Sequence, residues 1–248
     1  GRDELYPAGP VRQSGAFCRF ASVGQPAVKL DCGVISDGSE LAPLLLDANG
    51  DGALDLLVAQ SGSAGGLRLW LNDGRGHFAP APDATLPGRG EACGVAVAAD
   101  FDRDGAVDLF IGGGAIPGAY PQATPSRLLR NDGGRWVDVT AGSAPALAGA
   151  GLVTSGVWSD VDDDGWIDLL VTTEWGPVRL YRNDHGRLVE RTAEAGLAGR
   201  RGWWRGIAAA DVDGDGAMDY VVTNLGLNTR YQPGAETPPF NTVIPVLI

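Results

Sequence analysis

The chain of 248 residues is long enough for one large all-β domain or two average ones, and its hydrophobic content of 44% is ordinary for a globular protein. Its formal net charge is -12 and Lys29 is its only lysine, so we expect no nucleic-acid partner, because no basic stripe can follow a phosphate backbone. No segment approaches the roughly 20 apolar residues that cross a bilayer, and we expect no membrane insertion.

The first 40 residues carry two of the three cysteines and no signal-peptide pattern of basic and then apolar residues. If the protein is secreted, its signal lies outside this segment. Cys18, Cys32 and Cys93 form no CxxC pair that would indicate zinc or thiol redox chemistry. Two interpretations stay open: a Cys18–Cys32 disulfide in a secreted protein, or three partly buried thiols.

A nine-residue acidic pattern occurs four times, as DANGDGALD at 47–55, DFDRDGAVD at 100–108, DVDDDGWID at 160–168 and DVDGDGAMD at 211–219. We call these segments Asp loops 1 to 4 and number their positions 1 to 9. The first positions are 53, 60 and 51 residues apart. A period near 50 residues is typical of repeat architectures.

Each Asp loop is preceded and followed by a short apolar run that is typical of a strand. Two further strands with a turn between them follow in the first three repeats, at LRLWLNDGRGHF, SRLLRNDGGRWVDVT and VRLYRNDHGRLVERT. The Asn-Asp-Gly of the first two favours a tight hairpin, because such a turn needs residues that tolerate positive φ. The sequence therefore predicts an all-β fold of four-stranded antiparallel sheets, which at this period are the blades of a β-propeller.

The Asp loops have the composition of a calcium site. Side chains 1, 3 and 5 turn to the inside of a curling chain, Gly at position 6 permits a sharp reversal, the carbonyl of position 7 turns inward, and Asp at position 9 closes the ring. These are oxygen donors, as Ca²⁺ prefers, without sulfur or imidazole. Positions 1, 3, 5 and 9 of the loops hold 15 of the 31 acidic residues, and without these 15 acids the formal charge of the chain is +3.

Two alternatives compete with the calcium interpretation. Asp, Asn and Gly also form turns without a metal, but carboxylates about 4 Å apart repel each other by roughly 1 kcal/mol per pair in water and by about 4 kcal/mol at an effective dielectric of 20. An EF-hand needs a bidentate Glu at position 12, where this chain has only apolar residues: Val58, Ile111, Val171 and Val222. We therefore expect up to four structural Ca²⁺ ions and no EF-hand.

The segment that carries these loops resembles the FG-GAP and VCBS repeat proteins, whose propeller blades carry a DxDxDGxxD calcium loop, as in the integrin α-subunit head. The resemblance covers roughly residues 41 to 232. The segments IGGGAIPGAYPQATPSRLLRNDGGRWVDVT and GWWRGIAAADVDGDGAMDYVVTNLGLNTRY resemble large secreted bacterial proteins of this class, which often carry an ASPIC/UnbV module. The Phe-Gly and Gly-Ala-Pro segments of integrin repeats are not evident. The resemblance implies an extracellular, cell-surface or periplasmic location.

The resemblance also implies the ligands of each ion. The side-chain ligands would be Asp47, Asn49, Asp51, Asp55, Asp100, Asp102, Asp104, Asp108, Asp160, Asp162, Asp164, Asp168, Asp211, Asp213, Asp215 and Asp219. The carbonyl ligands at position 7 would be those of Ala53, Ala106, Trp166 and Ala217.

The repeats predict a division into blades at 41–93, 94–154 and 155–205, with a partial fourth blade and tail at 206–248. Residues 1–40 would supply strands, at 15–21 and 27–31, of a preceding or closing blade. Two arrangements stay open: an arc of a larger propeller of about seven blades, or a small ring that the N-terminal strands close.

We expect no enzyme. His77 and His185 lie in or beside hairpin turns, no GxSxG, HExxH or P-loop motif is present, and a fully ligated loop leaves no open position for an activated water. Lys29, Tyr120, Tyr181 or an arginine are candidate groups for the alternative of a polysaccharide-cleaving propeller. The expected function is adhesion or recognition of a protein or glycan ligand, with glycan binding and a pure scaffold as further alternatives.

Trp203 and Trp204 form an adjacent pair beside Arg200, Arg201 and Arg205. Because successive side chains of a strand face opposite ways, one indole would pack between blades and the other would be exposed to stack on a sugar or anchor a protein. The alternative is that both pack as core between blades.

Overall fold

The computed structural model describes residues 17–20, 28–31, 41–60, 66–82, 85–225 and 244–246. Within these ranges the fold is almost entirely β, with one short α-helix, α1 (Thr140–Ser143), and one 3-10 helix (Pro145–Gly149). None of the helices in these ranges has the length and apolar character needed to cross a membrane. The prediction of an all-β fold built from four-stranded antiparallel sheets is confirmed.

The first two repeats each form one four-stranded antiparallel sheet in simple sequential order. Sheet 1 contains the strands β3 (Leu41–Leu46), β4 (Asp55–Gln60), β5 (Gly66–Asn72) and β6 (Phe78–Pro80). Sheet 2 contains the strands β7 (Cys93–Ala99), β8 (Asp108–Gly113), β9 (Arg127–Asp132) and β10 (Arg135–Asp138).

The third and fourth repeats are joined in one seven-stranded sheet. Repeat 3 contributes the strands β11 (Val153–Ser159), β12 (Asp168–Pro177), β13 (Arg179–Asn183) and β14 (Leu188–Glu190). Repeat 4 contributes β15 (Arg201–Ala210), β16 (Asp219–Asn224) and β17 (Ile244–Val246). The two repeats share one sheet because the end of β12 pairs with the start of β15. In this pairing Glu174 lies opposite Trp203, and Pro177 lies opposite Arg201.

The N-terminal strands β1 (Phe17–Phe20) and β2 (Val28–Asp31) pair with each other. In repeat 4 the position next to β16 is taken by β17, with Val222 opposite Ile244. The proposed Cys18–Cys32 disulfide lies outside the residues whose side chains the structure describes. Cys93 is buried, and its Sγ lies 3.5 Å from the carbonyl oxygen of Gly66.

The strands place their apolar side chains between successive repeats. Each of three core clusters draws its residues from two neighbouring repeats, for example Leu57 and Leu109 in the first, Phe110 and Leu169 in the second, and Leu180 in the third. Each such fully buried side chain contributes about 1.5–3 kcal/mol. Because one sheet buries its face only against the next, the repeats stabilise one another, as is typical of repeat proteins.

Small residues allow the first strands of neighbouring repeats to approach closely. A Cβ added at Gly94 in β7 would lie 1.9 Å from the carbonyl oxygen of Val153 in β11, a distance that no side chain tolerates. The run before Asp loop 2, GVAVAA, is rich in Ala and Gly, a composition that suits a strand close to its neighbours. For β7 the structure shows this crowding directly.

Candidate metal centres

Each Asp loop connects the first strand of its repeat to the second and turns through the same backbone conformation. The glycine at position 6 has a positive φ in all four loops, from 85° to 92°, which an L side chain adopts only with strain. Position 4 also has a positive φ. The sequence did not predict this, because two of the loops lack glycine at position 4. The four residues at position 4 are Gly50, Arg103, Asp163 and Gly214.

Three of the loops gather their carboxylates into one group. In Asp loops 2, 3 and 4 the acids of positions 1, 3 and 9 each place one oxygen so that the three oxygens lie within 4.8 Å of one another. The three groups are Asp100, Asp102 and Asp108; Asp160, Asp162 and Asp168; and Asp211, Asp213 and Asp219. Asp loop 1 has Asn49 at position 3, whose amide nitrogen donates to Asp51.

The acids at positions 1 and 5 also order the backbone of their own loop. The carboxylate of Asp160 accepts hydrogen bonds from the backbone N–H of Asp164 and of Gly165, at 3.2 and 2.7 Å. At position 5, Asp164 accepts from the N–H of Trp166 at 2.8 Å. In the other three loops the N–H of position 6 likewise donates to the acid at position 1, and the N–H of position 7 donates to the acid at position 5. These bonds are what a turn-forming role predicts, and they leave the carboxylates further lone pairs for a cation.

In Asp loops 1 to 3 the aspartate at position 9 is a buried connection between three parts of its repeat. Asp108 is fully buried; one of its oxygens accepts from the N–H of Phe101 in the loop, and the other from the N–H of Asn131 at the end of β9. Asp168 is bound in the same way by Val161 and Asn183. This aspartate therefore fixes the loop to the third strand as well as closing the ring of ligands.

Burial raises the pKa of the aspartates at position 9 of Asp loops 1 to 3, so that they keep a proton more readily when no cation is bound. Loss of water around its carboxyl group raises the pKa of Asp108 to about 7, with the charges of Asp102 and Asp104 adding to the rise and the two backbone hydrogen bonds opposing it. Desolvation likewise raises the pKa of Asp55 and Asp168. A buried carboxyl group that must stay charged needs a positive partner.

In Asp loop 3 a guanidinium group supplies part of that positive charge. Arg182, in β13, makes an ion pair with Asp162 and lies 3.4 Å from Asp164 and 3.6 Å from Asp168. The arginine stands where a metal cation would be attracted. The groups that it contacts are carboxylates, whose hard oxygen atoms fit Ca²⁺.

The asparagine of the hairpin turn is a functional residue that the sequence analysis missed. The side-chain nitrogen of Asn183 donates to the carbonyl of Ile167 in Asp loop 3 at 2.9 Å and to that of Phe101 in Asp loop 2 at 2.8 Å. Asn131 makes the matching pair of bonds with Val107 and Ala48. We call Asn131 and Asn183 the asparagine clamps, because each ties its own Asp loop to that of the preceding repeat.

We expect Asn183→Ala to lower the free energy of unfolding by about 3 kcal/mol, since it leaves buried carbonyl groups without donors. Asn72→Ala is the matched control, because Asn72 is half-buried and its side-chain nitrogen donates within its own repeat, to Leu54. For the control we expect about 1 kcal/mol. Urea unfolding in calcium buffer measures both variants, and equal losses would show that the contact between repeats carries no extra stability.

The family model of the FG-GAP-like repeat matches two segments of this chain, residues 47–111 and 160–222. Together these segments make up just over half of the chain and include all four Asp loops. No curated protein matches at a significant level. Among solved structures, a mutant of the Photorhabdus luminescens Tc holotoxin pore shares 20% sequence identity over 84% of this chain, with a TM-score of 0.34, and the match spans 10% of that chain. Because the repeat model covers more than half of its residues, this chain belongs to the FG-GAP-like repeat family.

Proposed function

We propose that this chain is a calcium-stabilised β-propeller segment of a secreted or cell-surface protein, which acts in recognition or adhesion and has no catalytic role. The observation that carries the proposal is the recurrence of the same carboxylate group, from positions 1, 3 and 9, in three successive Asp loops. FG-GAP-like repeats supply the family context. A propeller is supported by four-stranded sheets that bury their faces against the next repeat.

The chain's own oxygens would hold the ions. The acids and Asn49 of positions 1, 3, 5 and 9 would provide side-chain ligands, and the position-7 residues would provide carbonyls. When bound, Ca²⁺ neutralises the repulsion among these acids. Because Asp168 also accepts from the N–H of Asn183, and the Asn183 side chain donates to Phe101, Asp loop 3 is tied to the Asp loop of the preceding repeat.

The absence of a catalytic role is proposed from the placement of the candidate groups. His77 and His185 are highly exposed in hairpin turns, where each contacts an aspartate, Asp73 or Asp184. Tyr181 is fully buried, and burial raises the pKa of its hydroxyl group. The side chain of Lys29 lies outside the described residues. None of these arrangements places a base beside a nucleophile in an open cleft.

The proposal is tested by calorimetric titration of the chelator-treated protein with CaCl₂. We expect up to four Ca²⁺ per chain, and one fewer in Asp213→Ala, because alanine offers no oxygen ligand, whereas Asn49 at the same position of Asp loop 1 does. Asp73→Ala, which alters an exposed acid outside the Asp loops, is the control and leaves the number of ions unchanged. Heat of binding that is absent, or that is lost equally in both variants, would refute the calcium role.

A further inference from the structure

A cluster of aromatic and charged side chains lies far from the Asp loops. It consists of Tyr120, Glu174, Trp175, Trp203 and Arg205, and we call it the aromatic cluster. These residues come from repeats 2, 3 and 4. Trp175 is seven residues beyond Asp168 along β12, so the cluster is roughly 23 Å from Asp loop 3.

Trp175 is held in an exposed position by an irregular backbone. The pairing of β12 with β15 shifts register between Glu174 and Gly176, which leaves Trp175 as the extra residue of a β-bulge. Its φ is 61°, a left-handed conformation that a non-glycine residue adopts only with strain, and 48% of the residue is exposed to solvent. Bulges of this kind redirect a side chain and are common beside functional sites.

Contacts on several sides fix the indole of Trp175. Its Nε1 donates to the hydroxyl oxygen of Tyr120 at 2.5 Å, and that hydroxyl donates to Oε2 of Glu174 at 3.0 Å. Its ring packs against that of Trp203, with the ring centres 4.8 Å apart and tilted by 38°. A rigid ring that keeps one side open to water loses little conformational entropy when a ligand binds it.

Two charged groups, Glu174 and Arg205, belong to the same cluster. Arg205 donates to Oε1 of Glu174 at 3.1 Å, and its guanidinium group lies 5.6 Å from the ring centre of Trp203. The Arg205 side chain is 45% exposed and that of Glu174 is 14% exposed. The cluster thus offers an open aromatic face bordered by a hydroxyl, a carboxylate and a guanidinium group.

We propose that the aromatic cluster is a carbohydrate-binding site. The apolar C–H face of a pyranose ring stacks on the exposed indole of Trp175, while Glu174 accepts hydrogen bonds from sugar hydroxyls and Arg205 donates to them. Tyr120 both donates and accepts. Stacking supplies the binding energy and these polar groups orient the sugar. The inference rests on the proposed recognition role and does not require calcium.

A sugar fits this surface better than a protein does. Among the described residues only two other large exposed apolar side chains lie near Trp175 in the fold, Tyr120 and Leu225, whose N–H donates to the carbonyl of Trp203. The remaining ones, Leu45, Leu54, Val212 and Met218, lie in or beside Asp loops. A stable protein interface buries about 800 Å² on each partner, whereas one sugar needs a single open ring with donors and acceptors beside it.

The test is binding of the whole chain, in calcium buffer, to a printed array of oligosaccharides that covers glucans, mannans, galactans, chitin fragments and uronic-acid polymers. We expect at least one class to bind. Trp175→Ala then weakens binding to that oligosaccharide by at least about tenfold, and Trp175→Phe retains most of it because a flat ring remains. Phe78→Ala is the control, since Phe78 is a partly buried aromatic residue of β6 that belongs neither to the aromatic cluster nor to an Asp loop.

Thermal unfolding of each variant verifies that it is folded. Arg205→Ala removes a proposed donor to the sugar and is also expected to weaken binding, so it keeps the test decisive if Trp175→Ala does not fold. An array without binding overturns the inference. So does binding that Trp175→Ala or Arg205→Ala, once shown to be folded, leaves unchanged, or that Phe78→Ala weakens equally. Failure of calcium to bind would refute the proposed metal role and leave the result at the aromatic cluster standing.

Discussion

In thermal unfolding, about 1 mM Ca²⁺ is expected to raise the midpoint by at least about 10 °C over the same protein in excess chelator. A site that binds only the folded state and is filled at 100 times its dissociation constant adds about 2.7 kcal/mol to the free energy of unfolding. For a protein of this length each kcal/mol shifts the midpoint by about 2–4 °C. Two filled sites therefore suffice, and four would give more.

Asp loop 3 offers a matched pair of variants for this measurement. Asp162→Asn alters an acid of the carboxylate group and is expected to reduce the calcium-dependent shift. Asp163→Asn alters the neighbouring acid at position 4, which is not a predicted ligand, and asparagine tolerates its positive φ. Each shift is compared with the midpoint of the same variant in chelator, because Asp162 also pairs with Arg182. Equal effects of the two changes would contradict the assignment of ligands.

The parts of the fold that the sequence predicted are those set by local rules. The strands on both sides of Asp108, for instance, follow from a short apolar run next to a loop rich in Asp and Gly. The hairpin between β9 and β10 follows from Asn131-Asp132-Gly133, in which the glycine has a positive φ. The gathering of three carboxylates in Asp loops 2 to 4 was likewise implied by their spacing.

The parts that the sequence did not predict depend on how neighbouring repeats meet. Asn183 appeared only as a turn residue, since its bond to Phe101 spans 82 positions of the chain. The continuous pairing of β12 with β15 was not expected, because separate sheets were predicted for each blade. Of the two adjacent indoles, Trp204 is buried in the third core cluster, and only the structure places Trp203 against Trp175.

The pH dependence of stability is expected to reverse its sign when calcium is removed. In chelator the folded state holds a proton on Asp108, whose pKa is raised to about 7, while the unfolded chain releases it near the ordinary aspartate pKa of 3.8. Between these two values the folded state binds more protons, so the free energy of unfolding falls as the pH rises, by about 1.4 kcal/mol per pH unit for this group. Asp55 and Asp168, whose pKa values are also raised, act in the same direction.

In calcium the ion holds the same carboxylates in their charged form, and protons compete with it. Stability is then expected to rise with pH between about 5 and 7, because fewer protons oppose binding. Urea unfolding at several pH values, in chelator and in calcium, measures both slopes on one protein. Slopes of the same sign would mean that Asp108 is not part of a metal site, whereas opposite slopes connect its buried charge to the ion, since only a bound cation removes the penalty that burial imposes on this carboxylate.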